Sequence, residues 1–160
     1  MIVSATKNDH KVLTNLTRLS KAHWGYSAEQ LEKWRDELTI TAPYIEANEV
    51  FKYCLNEQFI VGYYAYFYAD ESTVKLDNLF IHPDYIGKGY GRIMMENFMT
   101  RVKGKANKIT LDTDPNAALF YRKLGFKVVG KLATSILGRY MPVMELDLTK
   151  KKSYKVLKTL

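Results

Sequence analysis

The sequence predicts an α/β fold of the α+β kind, a mixed β-sheet flanked by helices. Three observations carry that reading. Runs rich in β-branched and aromatic residues, Val50–Leu55 and Phe59–Tyr68, flank Asn56-Glu57, and Asp70-Glu71-Ser72 turns the chain into a third run, Val74–Ile81; these are hairpin signals. Later strands alternate with helical segments at Gly91–Val102 and from Asp114 to Leu124, the pattern of crossover connections. The chain has 160 residues, 47% apolar and 26% charged, an ordinary globular composition with enough length for one core.

Each element follows from local chemistry. Ile2–Thr6 is a short apolar run and reads as a strand. From Asp9 to Ala22, Val12, Leu13, Leu16 and Leu19 recur at helical spacing. A second helix opens at Ser27, which forms a capping box with Gln30, and Tyr26 with Leu31 suits a hydrophobic staple. Leu31, Trp34 and Leu38 mark its buried stripe, and Thr41–Tyr44, with Pro43, closes the helical region. Three strands follow, and Pro83 stops the third. Met94, Phe98 and Val102 give Gly91–Val102 a helical stripe; Lys108–Thr113 is the next strand. Asp114 as N-cap with Pro115 at N1 starts a helix, and Gly125 suits its C′ position. Phe126–Val129 and Tyr140–Leu148 are closing strands. The order is β-α-α-β-β-β-α-β-α-β-β.

Composition excludes several classes. No apolar run approaches the ~20 residues of a membrane span, and the first residues lack the charged and apolar regions of a signal peptide. Cys54 has no partner for an internal disulfide. His10, His23 and His82 are scattered, with no acid cluster at ligand spacing, so no metal site is expected. A cytoplasmic location is the simplest expectation. The net charge is +7, but residues 150–160 hold five lysines and no acid, which leaves +2 for the rest. The expected organisation is one domain over residues 1–149 with a basic tail at 150–160. A basic tail binds phosphates without sequence preference, so no specific nucleic-acid partner and no membrane partner is expected.

The most informative segment is His82-Pro83-Asp84-Tyr85-Ile86-Gly87-Lys88-Gly89-Tyr90-Gly91-Arg92. A strand ends, three glycines alternate with other residues, and a helix begins. Glycine admits positive φ and close approach of a ligand to the backbone. The helix start adds unpaired N–H groups and the positive end of the dipole. The combination suits a pyrophosphate, with Lys88 and Arg92 adding charge. The P-loop pattern fails because Gly89 follows Gly87-Lys88, and the spacing is Gly-x-Gly-x-Gly rather than the dinucleotide Gly-x-Gly-x-x-Gly.

This segment resembles the main motif of the GNAT superfamily of acetyl-CoA-dependent N-acyltransferases, a strand followed by Gln/Arg-x-x-Gly-x-Gly/Ala at a helix start. Here Leu79-Phe80-Ile81-His82-Pro83-Asp84-Tyr85 leads into Ile86-Gly87-Lys88-Gly89-Tyr90-Gly91, with Ile86 where the family usually has Gln or Arg. A second motif, Ala-x-x-Phe-Tyr-x-x-x-Gly-Phe, is matched by Ala117-Ala118-Leu119-Phe120-Tyr121-Arg122-Lys123-Leu124-Gly125-Phe126. The family's Asn three residues before that Ala is Asp114 here, so its cofactor-facing role is carried to the nearby Asn116. The resemblance covers roughly Val50 to Leu148.

The resemblance implies acetyl-CoA as cofactor and direct acetyl transfer to a primary amine, on a GNAT-like fold with a splayed central sheet. It implies that the strand Val74–Ile81 parts from Lys108–Thr113 to admit the pantetheine arm. A bulge near Leu79 would then free backbone groups of Phe80 and Ile81, while Ile86–Arg92 hold the pyrophosphate. Phe120 and Lys123 join Asn116 among the cofactor-binding residues, Lys123 with Lys88 and Arg92 near the 3′-phosphate. Tyr121 matches the tyrosine that faces the sulfur and can donate to a leaving thiolate.

The general base is open between Asp77, on the splayed strand, Glu46, before the second strand, and a water chain; either acid also suits a surface position. His23, Trp24 and Tyr26 lie in a turn that borders the acceptor pocket in the resembled fold, and equally suit a capping cluster. Arg139, between the closing strands, suits a substrate carboxylate or phosphate, or a surface charge. Cys54 reads as a small buried apolar residue. The acceptor, a small molecule or a peptide amine, is not legible, and self-association as a homodimer stays open. The rival to an enzyme is an acetyl-CoA-binding sensor or interaction module that keeps the fold without turnover.

Overall fold

The computed structural model describes residues 1–149, and the lysine-rich segment 150–160 lies outside the described residues. Seven strands and five α-helices follow in the order β1 (Ile2–Ser4), α1 (His10–Ala22), α2 (Ala28–Lys33), α3 (Ala42–Ala47), β2 (Glu49–Asn56), β3 (Phe59–Tyr68), β4 (Thr73–Ile81), α4 (Tyr90–Val102), β5 (Lys108–Asp112), α5 (Ala118–Lys123), β6 (Lys127–Ala133) and β7 (Tyr140–Asp147). They form two units, residues 1–66 with 78–98, and residues 67–77 with 99 onward. β3, β4 and α4 run through both.

In the first unit the strand order is β1-β2-β3-β4. β1 and β3 flank β2 antiparallel, with Val3 opposite Lys52 and Phe51 opposite Tyr64. Alternation sends successive side chains to opposite faces. Val50, Tyr63 and Ala65 join Leu13, Leu16, Ile40 and Ile45 in one buried cluster. Phe51, Tyr64 and Tyr66 lie on the other face, where Tyr64 and Tyr66 meet the Phe98 ring of α4 at 5.6 and 5.0 Å. A buried polar pair sits between helix and sheet. Thr17 Oγ1 donates to the Leu13 carbonyl at 2.7 Å and accepts from the Tyr63 hydroxyl at 2.6 Å.

In the second unit the order is β4-β5-β7-β6. β4 runs parallel to β5, whereas β7 is antiparallel to both β5 and β6, so the sheet is mixed as expected. The parallel ladder covers only Thr73–Lys75 against Lys108–Thr110, although β5 continues to Asp112. Lys75 Nζ and Asp112 Oδ2, 2.9 Å apart, tie the strands just past that point. Val74, Leu76, Ile109, Leu111, Met144 and Leu146 are the buried apolar residues of these strands.

The helical segments differ from expectation in four places. Leu13 and Leu16 are buried, but Val12 and Leu19 are 44% and 41% exposed; the buried stripe of α1 is completed by Thr17 and Ser20. The second helix stops at Lys33, and Trp34 and Leu38 are buried from the turns that follow it. Thr41 opens α3 instead of closing a helix: its hydroxyl accepts from Tyr44 N at 3.1 Å, and Pro43 sits in the first turn, where no N–H is needed. The last helix begins as a 3₁₀ turn, Pro115–Ala117, capped by Asp114. β6 extends to Ala133, past the expected end at Val129, where a register shift relative to β7 accommodates one extra residue. Cys54 is half-buried rather than buried. Among the described residues no helix is long and apolar enough to cross a membrane.

Candidate functional site

The glycine segment is held in place from both ends. His82 N donates to the Val61 carbonyl at 2.7 Å, which fixes the end of β4 to β3. His82 Nδ1 accepts from Asp84 N at 3.2 Å and so caps the 3₁₀ turn Pro83–Tyr85. Rings brace the turn: Phe59 lies 5.4 Å from both His82 and Tyr85, and Tyr90 lies 5.7 Å from Tyr85 and 5.2 Å from Tyr53. The half-buried Ile86 ends the turn in extended conformation.

Gly87 and Gly89 then adopt φ of +81° and +92°. A Cβ built at either meets nothing within 4 Å. Glycine is therefore required here for backbone conformation, and the space above the loop is open to a ligand. Helix α4 starts at Tyr90, and Ile93 N is bonded to Gly89 O at 3.1 Å. The N–H groups of Tyr90, Gly91 and Arg92 precede the first full turn and have no carbonyl four residues back inside the helix.

Two cations accompany these amides. Lys88 is exposed, its Nζ 5.4 Å from the Tyr85 ring centroid. Arg92 directs Nε toward Glu96 Oε1 at 3.5 Å, while its Nη2 is buried without a hydrogen-bond partner among the described residues. An unmatched buried donor costs about 1–3 kcal/mol, more when charged, and an anion is the group that would remove that cost. The half-buried residues Leu79, Phe80 and Ile81 run into this loop, with the Phe80 ring 6.0 Å from Tyr63.

A polar contact in the same unit was not foreseen. Asn78 Nδ2 donates to the Tyr44 hydroxyl at 2.8 Å, tying α3 to β4 two residues before Phe80. No sequence signal paired these residues, because α3 itself was not expected. The turn after α1 exposes His23 and Trp24, whose rings meet edge-on at 5.3 Å. Tyr26 packs edge-on against Trp34 at 4.9 Å, and Lys21 Nζ lies over both rings. Glu46 is exposed on α3.

The second unit carries the other residues. Asp114 Oδ1 accepts from the backbone and side-chain nitrogens of Asn116, both at 2.9 Å, and Oδ2 from Arg139 Nη2 at 3.1 Å. Asn116 and Lys123 are exposed, and Phe120 is half-buried. Tyr121 is buried, its ring 5.1 Å from Phe120 and 5.7 Å from Phe126. Burial pushes its phenol well above the ordinary value of about 10. The turn after α5 depends on Gly125 at φ +100°. Asp77, on β4, is exposed.

Arg139 is thus engaged by an acid within its own unit, and the two side chains are 14% and 10% exposed. We expect Arg139→Met to lower unfolding stability by about 2–3 kcal/mol, because a shielded carboxylate loses its cation. Chemical denaturation measures this. An unchanged midpoint would show that the pair contributes nothing to the loop between β6 and β7.

A strand that ends in an open, cation-flanked amide loop defines a class of α/β proteins that anchor phosphate-bearing ligands on backbone N–H groups. Within that class, the family model described as an acetyltransferase (GNAT) domain matches residues 47–128, just over half of the chain. The chain belongs to this family. Peptidyl-lysine N-acetyltransferase YjaB of Salmonella typhimurium is 35% identical over 71 residues, 44% of this chain and 48% of that protein. The match therefore spans about half the length of that curated relative. Two solved structures share the fold, each over 92% of this chain. One, a GCN5-related N-acetyltransferase from Rhodopseudomonas palustris, has a TM-score of 0.76 at 23% identity, with 95% of its chain covered. The other, the PaiA N-acetyltransferase of Thermoplasma acidophilum in complex with coenzyme A, has a TM-score of 0.76 at 20% identity, with 98% covered.

Proposed function

We propose that this protein transfers the acetyl group of acetyl-CoA to a primary amine. The observation that carries the reading is the Gly87–Arg92 loop, with open space above both positive-φ glycines at the start of α4 and a buried, unmatched nitrogen on Arg92. These groups suit a pyrophosphate. The backbone N–H groups from Gly87 to Arg92 hold the pyrophosphate, with Lys88 and Arg92 supplying charge, and the second family motif assigns Asn116, Phe120 and Lys123 to the cofactor. Backbone groups at Phe80 and Ile81 bond the pantetheine amides and polarise the thioester carbonyl.

The reaction forms one C–N bond and breaks one C–S bond. Asp77 takes a proton from the attacking amine, directly or through water, and Tyr121 donates to the departing thiolate. Burial favours that division of labour, because it raises the Tyr121 phenol above its ordinary value and keeps the donor protonated at neutral pH. No covalent enzyme intermediate is required. The turn His23–Tyr26 borders the acceptor. Its class is drawn from the relative named for peptidyl-lysine acetylation, so a lysine ε-amine on a peptide is the first acceptor to test.

Acetyl-CoA at 100 times its dissociation constant should raise unfolding stability by about 2.7 kcal/mol, read as an upward shift in Tm. A screen of peptide lysines, protein N-termini and small amines, monitored by thiol release, then identifies the acceptor. Absence of any Tm shift at millimolar acetyl-CoA would overturn the reading.

A further inference from the structure

Gly62 lies in β3 opposite Tyr53, and its other neighbour is the end of β4. Its φ is not in the left-handed region, so backbone freedom does not explain the glycine. Space does. A Cβ built on Gly62 would lie 2.7 Å from the Phe80 carbonyl oxygen, 2.9 Å from Met94 Cε and 3.0 Å from Ile81 Cδ1. The last two are ends of flexible side chains and can turn aside. The first is backbone, and its displacement moves the Phe80–Ile81 peptide itself. Immediately beyond, His82 N is bonded to Val61 O at 2.7 Å, so the strand end cannot relax by sliding.

We infer that Gly62 is a positioning residue for the acyl donor. The missing side chain lets the Phe80 carbonyl close over β3 toward α4, and this approach sets the direction of the Phe80–Ile81 peptide groups offered to the pantetheine arm. Gly62 acts only through that peptide and touches no reacting atom. Besides the His82–Val61 bond, the glycine loop at residues 87–91 has bracing that does not involve Phe80, in the rings of Phe59, Tyr85, Tyr90 and Tyr53. Displacing Phe80 therefore leaves the loop's hold on phosphate intact. The inference rests on the acetyl-CoA reading and adds which residue orients the arm.

The test compares two ligands by calorimetry, acetyl-CoA and adenosine 3′,5′-bisphosphate with no pantetheine. In Gly62→Ala, acetyl-CoA affinity should fall at least tenfold while the nucleotide binds as in wild type. If Gly62→Ala does not fold, Gly62→Ala/Met94→Leu removes the Cε contact, leaves the backbone clash, and is expected to show the same selective loss. Leu38→Ala, a destabilising change in the same unit but outside the cluster on which Phe80 packs, should move neither affinity. Equal losses for both ligands, or no loss for either, in a folded variant would overturn the positioning role. A wild-type protein that binds neither ligand would instead remove the acetyl-CoA reading beneath it.

Discussion

Gly89→Val should weaken acetyl-CoA binding by roughly 100-fold or more, whereas Lys88→Ala should cost about two- to fivefold. Gly89 sits at φ +92°, which a β-branched residue adopts only with strain of about 1–3 kcal/mol. The substituted loop relieves that strain by turning its peptide, and the N–H groups aimed at the phosphates turn with it. A hydrogen bond to a charged group is worth about 1.5–3 kcal/mol, so losing two removes roughly 3 kcal/mol or more. A Cβ at Gly89 has no protein atom within 4 Å, so it also fills the space the ligand would occupy. Lys88 is an exposed single charge, worth less than about 1 kcal/mol. Calorimetry with acetyl-CoA on both variants, with the fold checked by circular dichroism, measures the difference. Two folded variants that bind like wild type would reduce the segment to a turn.

Tyr121→Phe should lower kcat by about ten- to a few hundred-fold with little change in acetyl-CoA affinity. The ring keeps its packing against Phe120 and Phe126, and only the hydroxyl is lost. A thiolate is already a fair leaving group, so acid assistance helps without being indispensable. The pH dependence sharpens the test. Burial raises the phenol above its ordinary value, so the donor form persists as pH rises through about 10. Wild type and Tyr121→Phe should therefore give parallel kcat profiles between about pH 6 and 9, separated by a constant factor. An alkaline limb near pH 8–9 present only in wild type would show that Tyr121 ionises in that range. Equal kcat, with chemistry rate-limiting, would remove Tyr121 from the mechanism. A larger loss of affinity than of kcat would make it a cofactor contact.

Local signals carried much of the molecule into view before any coordinates. Ser27 accepts from Gln30 N at 3.1 Å and Asp114 from Asn116 N at 2.9 Å, as their spacing required. Phe59–Tyr68 has the expected bounds, and α4 begins one residue before its expected start. The glycine loop was legible because alternating glycines between a strand and a helix constrain the backbone within a few residues. Pro43 misled for the converse reason. Local sequence does not say whether a proline ends one helix or occupies the first turn of the next, and the cap from Thr41 decided that.

What the sequence determined by itself, then, was the order of the strands, the glycine loop and the motif that carries Tyr121, because dihedral preference, capping and alternation act over two to four residues. The tertiary structure decided the rest. It turned Val12 and Leu19 outward and buried Thr17 against Tyr63, 46 residues away. It joined Tyr44 to Asn78 across 34 residues and Arg139 to Asp114 across 25. It brought the Phe80 carbonyl to within 2.7 Å of where a side chain on Gly62 would begin. Such pairings depend on register, strand order and the packing of whole faces, so no short window of residues contains them. They arise when strands and helices close on one another and each buried polar group must find a partner wherever the fold supplies one.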